Sequence, residues 1–256
     1  MNSPKISIVI PSFNKVDFIE NTLKSILDQD YKNLEVIIQD GGSTDGTLDI
    51  IKKYSNKVIL ESKNDKGQLD AINLGFRKAT GDIVSFLNAD DLYENGCLKK
   101  IAEAYNENPS ALWFAGHGKI INKKGHEVGA FWTACKNFLA DINSYFLLTA
   151  TSNYLSQPSV FLTREAFEKY GPFTGVRGYV FEYEMWLKLG KIKMPVVIKE
   201  NLSMFRLGGA NTSSLFAKYI FQKDIEVVRK YSKSEIFVFF HWINNLVRIF
   251  ANHFYE

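Results

Sequence analysis

The sequence predicts a doubly wound, mostly parallel α/β sheet with helices on both faces, followed by a helical C-terminal extension. Three observations carry this prediction: short apolar runs that end at polar loops, helical spacing of apolar residues between those runs, and two long apolar-periodic stretches near the C-terminus. Strands that alternate with helices pair in parallel through right-handed crossovers. With 256 residues, of which 46% are hydrophobic, the chain can bury a large core.

The alternating elements lie in the first half of the chain. Ile6 to Ile10 form a nearly continuous apolar run that stops at Pro11, which is typical of a strand buried on both faces. Four such runs are predicted as strands, at residues 6–10, 34–38, 58–60 and 83–87. Between the runs, apolar residues recur every three or four positions, as at Ile19 and Leu23, and predict helices.

Acidic residues gather where these strands end. In an open parallel sheet, ligands bind beyond the carboxyl ends of the strands. The loops that this rule selects are 11–14, 39–46 and 88–91. They carry Asp40, Asp45, Asp90 and Asp91; Asp45 is interpreted as a turn or helix-capping residue. Asp90 and Asp91 directly follow a buried strand, and their carboxylate oxygens suit Mg²⁺ or Mn²⁺.

The second half is less regular. A strand is predicted over 112–121 and another over 160–162, where Thr163 would cap a helix from 164 to 170. Residues 131–155 show no clear periodicity and carry no assignment. The remaining predicted helices are 181–189, 215–231 and 234–255.

Composition excludes several classes of protein. The formal net charge is only +3, from 31 basic and 28 acidic residues, so we predict no nucleic-acid partner. The two cysteines, Cys97 and Cys135, have no CxxC neighbour, so neither a disulfide framework nor a structural zinc site is expected. The sequence also lacks the GxGxxG turn of a dinucleotide-dependent oxidoreductase and the GxxxxGK[ST] loop of a phosphate-loop NTPase. No signal peptide and no apolar run of about 18 residues is visible. A cytoplasmic location is therefore expected, with peripheral contact at the inner face of a membrane left open.

Four motifs in order along the chain resemble those of family 2 glycosyltransferases with the GT-A fold. They are Pro11–Asn14, Asp40–Thr47, Lys66–Gly75 and Gly81–Asp91. The resemblance covers about residues 5–100 closely and 156–210 more loosely. It implies an inverting transfer of sugar from a nucleotide-diphosphate donor, most simply of the UDP type.

The resemblance also implies which residues would bind the donor. The nucleotide-binding set would be Pro11, Ser12, Asn14, Asp40, Lys66, Asp70, Asn88 and Ala89. Asp90 and Asp91 would hold a divalent cation, Mn²⁺ or Mg²⁺. Asn88 departs from the family pattern, because it stands where the first carboxylate of the Asp-x-Asp motif is usual, and an amide contributes no charge.

On the acceptor side, Glu182 falls at the position of the family's general base, and Glu184 is the fallback. Both could instead be acids that stabilise a helix N-terminus. Gln157 and Arg206 are predicted acceptor or phosphate contacts. A strand start set by Pro158 and a surface arginine are the alternatives left open for these two segments.

These expectations define two units. Residues 1–210 would form the GT-A domain, with a nucleotide-binding half at 1–110 and an acceptor-side half at 111–210; residues 211–256 would form C-terminal helices. The acceptor would be a glycan or a lipid-linked sugar in the synthesis of a surface polysaccharide or glycolipid. The alternative function is a non-catalytic nucleotide-sugar-binding or assembly subunit with the same fold.

The last predicted helix has an unusually apolar stripe. Its members are Ile236, Phe239, Phe240, Ile243, Leu246, Val247, Phe250 and Phe254. Three roles remain open for this stripe: it could pack onto the domain, dock a second copy or lie in a membrane interface. Nearby basic residues favour a membrane: Lys218, Lys223, Arg229, Lys230 and Lys233.

Overall fold

The computed structural model describes residues 3–151, 153–175, 180–207, 217–232 and 234–252. Within these ranges the strands form one eight-stranded sheet. The strands are β1 Ile6–Ser12, β2 Leu34–Asp40, β3 Ile59–Ser62, β4 Ile83–Phe86, β5 Leu92–Tyr93, β6 Trp113–Ile121, β7 Val160–Thr163 and β8 Val196–Arg206. The helices are α1 Ile19–Leu27, α2 Thr47–Lys52, α3 Gln68–Lys78, α4 Cys97–Glu107, α5 Ala130–Ile142, α6 Tyr145–Ala150, α7 Arg164–Tyr170, α8 Phe181–Gly190, α9 Ala217–Tyr231 and α10 Glu235–Asn252.

The strand order is β3-β2-β1-β4-β7-β6-β8-β5. β1 pairs in parallel with both β2 and β4, and β2 pairs in parallel with β3, which confirms the doubly wound first half. In the second half β7 lies antiparallel to β4 and β6, whereas β6 and β8 are parallel. The prediction of a mostly parallel sheet is therefore confirmed, and the antiparallel β7 is what joins its two halves.

Helices cover the sheet on both faces because successive residues of a buried strand point to opposite sides. In β1, Val9 packs with Ile72 and Phe76 of α3 in one core. Its neighbour Ile8 packs with Leu23 of α1 in the other. The uninterrupted apolar runs of the sequence are thus explained by two cores, one on each side of the central strands.

The acceptor-side half contains elements that local sequence patterns do not reveal. α5 and α6 occupy the stretch without clear periodicity, and β5 and β8 are also absent from the predicted elements.

The predicted cap at Thr163 is confirmed, since its side chain accepts a hydrogen bond from the backbone N–H of Ala166 at 3.1 Å. Val228 of α9 and Val238 of α10 are buried in the same core as α8. A domain boundary after residue 210 stays a prediction, because 208–216 lie outside the described residues.

We expect Gly75→Ala to destabilise the protein even though alanine favours a helix. A Cβ at Gly75 would lie 2.3 Å from Cγ1 of Val9 in the central strand, so α3 would have to move away from the sheet. Overpacking of this kind costs about 1–3 kcal/mol, more than the roughly 1 kcal/mol of helix propensity that alanine gains. Urea unfolding measures the difference. The matched control is Arg77→Ala on the exposed side of α3; equal stability of Gly75→Ala and the parent would contradict the expectation.

Candidate active site

The carboxyl ends of β1, β2 and β4 lie side by side. Ser12 and Asp40 are register partners, and the N–H of Gly41 donates to the carbonyl of Ser12 at 2.8 Å. On the other side of β1, the N–H of Leu87 donates to the carbonyl of Val9 at 2.9 Å. The loops that follow these three strands therefore share one edge of the sheet.

Asp40 organises the loop that follows β2. Its Oδ1 accepts from the Ser43 hydroxyl at 2.5 Å, and its Oδ2 accepts from the backbone N–H groups of Gly42 and Ser43 at 3.0 and 2.9 Å. The Ser62 hydroxyl adds a further bond to Oδ2 at 2.7 Å. The buried carboxylate is thus held by four donors, which fixes the shape of the Gly-Gly-Ser turn.

The turn after β1 is tied to this loop. The N–H of Asn14 donates to the Ser43 hydroxyl at 2.8 Å, and Oδ1 of Asn14 accepts from the N–H of Thr44 at 3.0 Å. Asn14 has a φ of 50°, a left-handed conformation that asparagine tolerates well. Pro11 and Ser12 are buried beneath the turn, and the Ser12 hydroxyl finds no hydrogen-bond partner among the described residues.

A lysine that the sequence analysis did not single out bridges the two acidic loops. Nζ of Lys15 contacts Oδ2 of Asp90 at 2.5 Å, and its backbone N–H donates to the Thr47 hydroxyl at 2.8 Å. Among the described residues, Oδ1 of Asp90 accepts no hydrogen bond. The only sequence signal for Lys15 is a positive charge directly after the first turn, and a single charged residue in a loop carries little information.

Asp91 and Arg206 connect strand β8 to the loop that follows β4. Oδ1 of Asp91 accepts from the N–H of Arg206 at 2.8 Å, and Nε of Arg206 donates to the carbonyl of Asp90 at 2.8 Å. The same guanidinium donates to the carbonyls of Asn122 and Lys123 at 3.1 and 3.0 Å. Burial, and then the negative charge of Asp90, raise the pKa of Asp91 to about 7. Both side chains are thus engaged within the fold.

Asn88 belongs to a hydrogen-bonded chain of amides. Its Oδ1 accepts from Nε2 of Gln68 at 2.6 Å, while its Nδ2 donates to Oδ2 of Asp91 at 3.0 Å and to Oε1 of Gln157 at 3.3 Å. Nε2 of Gln157 donates in turn to the carbonyl of Phe86 at 3.1 Å. An aspartate at position 88 could not donate to Asp91, so the departure from the family pattern fits its surroundings.

The remaining donor-side residues lie around this chain of amides. Ala89 is buried behind the edge of the sheet. Lys66 is exposed, and its backbone N–H donates to Oδ2 of Asp70 at 3.2 Å where α3 begins. The start of α3 is next to the Asn88 network, because Gln68 on this helix turn is bonded to Asn88.

The two candidate bases of α8 have different environments. Glu182 follows Phe181, whose ring lies 5.9 Å from that of Phe86 at the end of β4. Burial, and then the negative charge of Asp224 on α9, raise the pKa of Glu182 to about 7. Glu184 is buried, and its Oε1 accepts from Nζ of Lys230 at 2.5 Å. Glu184 is therefore paired with a lysine of the C-terminal helices, whereas the pKa of Glu182 lies well above its usual value.

The part of the chain that the structure describes does not build a metal cage from its own side chains. Across the described ranges, no group of three or more His, Cys, Asp and Glu residues could hold a metal ion. Mg²⁺ and similar ions bound with a phosphate substrate need only one or two protein carboxylates, since phosphate oxygens and waters complete the shell. Asp90, whose Oδ1 accepts no hydrogen bond from the described residues, fits an ion that arrives with a diphosphate.

The parallel half-sheet with acids at its carboxyl edge defines an α/β fold of the GT-A type. Among solved structures, a mannosyltransferase of Pyrobaculum calidifontis, PcManGT, in complex with GDP-Man and Mn²⁺, has a TM-score of 0.70 at 17% identity. That match covers 100% of this chain and 77% of the other. TarS of S. aureus in complex with UDP-GlcNAc has a TM-score of 0.63 at 20% identity, and the match covers 89% of this chain and 66% of the other. These likenesses establish the fold.

The family follows from the sequence comparison. The model of glycosyl transferase family 2 matches residues 7–171, and the chain belongs to this family. An uncharacterised glycosyltransferase of Nostoc sp. is 29% identical over 222 residues, which cover 81% of this chain and 66% of the relative. GalNAc(5)-diNAcBac-PP-undecaprenol beta-1,3-glucosyltransferase of Campylobacter jejuni is 33% identical over 128 residues, covering 48% of this chain and 40% of that protein. The chain thus spans about two thirds of the Nostoc relative's length.

Among the helices in the described part of the chain, none is both long enough and apolar enough to cross a bilayer.

Proposed function

We propose that the protein transfers a sugar from a nucleoside-diphosphate donor, of the UDP type, to an acceptor hydroxyl with inversion at the anomeric carbon. The observation that carries this proposal is the single edge of the sheet formed by the loops after β1, β2 and β4, which carries Asp40 and the ion pair of Lys15 with Asp90. The names of the solved neighbours, which include complexes with UDP-GlcNAc and GDP-Man, support a nucleotide-sugar donor.

On the donor side, the turn from Pro11 to Asn14 and the Asp40 loop would hold the base and ribose, with Lys66, Asp70 and the Asn88–Ala89 segment completing the pocket wall. Asp90 would hold the divalent cation, and Lys15 would stand beside the diphosphate. When bound, such a cation stabilises the negative charge that grows on the leaving diphosphate. The position of Asp91 after the buried strand also predicts it as a ligand; in the structure both of its oxygens accept hydrogen bonds, and Asp91→Asn tests its role.

On the acceptor side, Glu182 would remove the proton of the attacking hydroxyl. Its raised pKa suits a base that works near neutral pH, because proton transfer is most effective when the catalytic pKa is close to the operating pH. Glu184 is paired with Lys230, and Gln157 braces Asn88 next to the reacting region. Arg206 would act by fixing the backbone of Asp90. The acceptor would be a glycan or a lipid-linked sugar, a chemistry that the name of the Campylobacter relative includes.

The decisive experiment is a donor panel. Purified protein is incubated with UDP-, GDP- and dTDP-sugars and Mn²⁺ or Mg²⁺, and nucleotide release is measured with and without acceptor glycans. Release of the nucleotide from one class of donor supports the proposed sugar transfer. Tight nucleotide binding without release or transfer from any donor would favour the non-catalytic binding subunit, for which Asn88 in place of a carboxylate is the specific observation.

The pH dependence offers a separate prediction. A base must be unprotonated to act, so the rate is expected to rise with pH and to level off above about 7, the raised pKa of Glu182. The negative charge of Asp224 disfavours the ionised form of Glu182; Asp224→Asn removes that charge and is expected to move the rising limb to lower pH. The pH profile of kcat/KM measures the shift, with Glu226→Gln on α9 as the control. If the pH profile of Asp224→Asn is the same as that of the parent protein, the assignment of Glu182 as the general base would be contradicted.

A further inference from the structure

The C-terminal helix α10 turns the described part of its apolar stripe, from Ile236 to Leu246, away from the domain. Val238, His241 and Asn245 lie on one side of the helix and are buried against the domain. The ring of His241 stacks on that of Tyr183 in α8, with centroids 5.9 Å apart. The polar side of the helix therefore faces the protein.

The opposite side presents large apolar residues to solvent. The exposed residues on it are Ile236, Phe239, Phe240, Trp242, Ile243 and Leu246. We call these six the outward strip. The strip continues onto α6, because the half-exposed Phe146 contacts Phe237 with ring centroids 4.9 Å apart. A contiguous exposed apolar surface of this kind marks an interaction site, since each large side chain left in water forgoes the stabilisation that burial gives.

Charge indicates what covers the outward strip. The segment 217–252 carries six Lys and Arg residues against three Asp and Glu, so the chain's whole formal excess of three positive charges lies in it. No charged residue occurs from 236 to 247. An apolar, aromatic face on a cationic segment is the pattern of a helix that lies in the interface of an anionic membrane. A second copy would bring an equally cationic segment against the first.

We propose that the outward strip of α10 docks the protein on an anionic lipid surface, with the helix lying in the plane of the interface. α9 and α6 connect α10 to α8: Lys230 of α9 bonds to Glu184, and the Tyr183 hydroxyl donates to the carbonyl of Leu148 at 2.6 Å. Docking would therefore hold α8 at a fixed height above the lipid. The proposal concerns a surface, goes beyond the proposed sugar transfer, and stands or falls separately from it.

The test is co-sedimentation of the full chain with vesicles. Binding is expected to vesicles of phosphatidylcholine mixed with phosphatidylglycerol, to weaken with phosphatidylcholine alone, and to fall as salt screens the charges. Phe239→Glu and Ile243→Glu are each expected to lower the vesicle partition constant by about tenfold or more. The matched control is Ile59→Glu on the edge strand β3: Ile59 is 54% exposed and Phe239 is 55% exposed, so the two substitutions alter similar surface.

Light scattering in solution and circular dichroism accompany the vesicle assay. Native spectra with lost vesicle binding in the two α10 variants, and retained binding in Ile59→Glu, support the proposal. Equal binding of all variants, or no binding of the parent to anionic vesicles, would overturn it. A dimer of the parent chain that Phe239→Glu dissociates, without vesicle binding, would overturn it in favour of a second copy. Sugar transfer to a soluble acceptor is measured alongside; a protein that transfers sugar without binding vesicles, or binds vesicles without transferring sugar, separates the two proposals.

Discussion

Glu182→Gln is expected to lower the rate of sugar transfer by about 10²–10⁴-fold and to leave donor binding unchanged. Glutamine keeps the shape of the side chain but cannot take a proton from the acceptor hydroxyl. The predicted donor contacts lie in the loops after β1, β2 and β4 and at the start of α3, and none of them is on α8, so the nucleotide affinity is expected to stay unchanged. Initial rates at saturating donor and calorimetric titration with the nucleotide measure the two quantities.

The matched control for this experiment is Glu184→Gln on the same helix. Glu184 is buried and paired with Lys230, so its loss is expected to lower the melting temperature while transfer persists. The assignment of the base would be reversed if Glu184→Gln folded normally without transferring sugar while Glu182→Gln kept its activity. A loss of nucleotide binding in Glu182→Gln would instead show that this residue belongs to the donor site.

Asp90→Asn is expected to have the second largest effect, a loss of cation-supported donor binding. The substitution removes the negative charge that faces Lys15, and it replaces the carboxylate with a neutral amide, whose oxygen is a weaker ligand for a divalent ion. A cation that stabilises the leaving group contributes several kcal/mol, so the rate is expected to fall by about 10²-fold or more. Paramagnetic resonance of Mn²⁺ in the presence of UDP gives the ion affinity directly, without turnover.

Asp91→Asn separates the two neighbouring carboxylates. Its oxygens accept from the N–H of Arg206 and from Nδ2 of Asn88, and an amide would turn an N–H₂ group toward one of these donors. We expect about 1–3 kcal/mol of lost stability with Mn²⁺ affinity retained. If Asp91→Asn kept the parent's stability and lost Mn²⁺, then Asp91 would be a ligand, as the sequence predicts, and its hydrogen bonds would be secondary.

Residue order alone locates the candidate site in the sequence. Because strands that alternate with helices must be parallel, their carboxyl ends meet, and Asp40 and Asp90 can be placed at one edge without coordinates. The roles of single residues there are less accessible. Lys15 and Asp90 are 75 positions apart, and their contact depends on how two loops close. The sequence predicts Arg206 as a phosphate contact, and the structure adds that its guanidinium holds three backbone carbonyls, which no local pattern encodes.

Local periodicity by itself determined the parallel half of the sheet, because buried strands and amphipathic helices each leave a repeat in the chain. It also found the Thr163 cap and the two terminal helices. Only the tertiary structure decided the partners of the second half. β8 includes polar residues such as Lys199 and Glu200, and it is a strand because β6 pairs with it. The orientation of α10 was decided in the same way: its sequence places the apolar stripe, but the packing of His241 against Tyr183 turns the residues of that stripe from Ile236 to Leu246 outward. Periodicity records which residues share a face; what that face meets depends on elements distant in the chain.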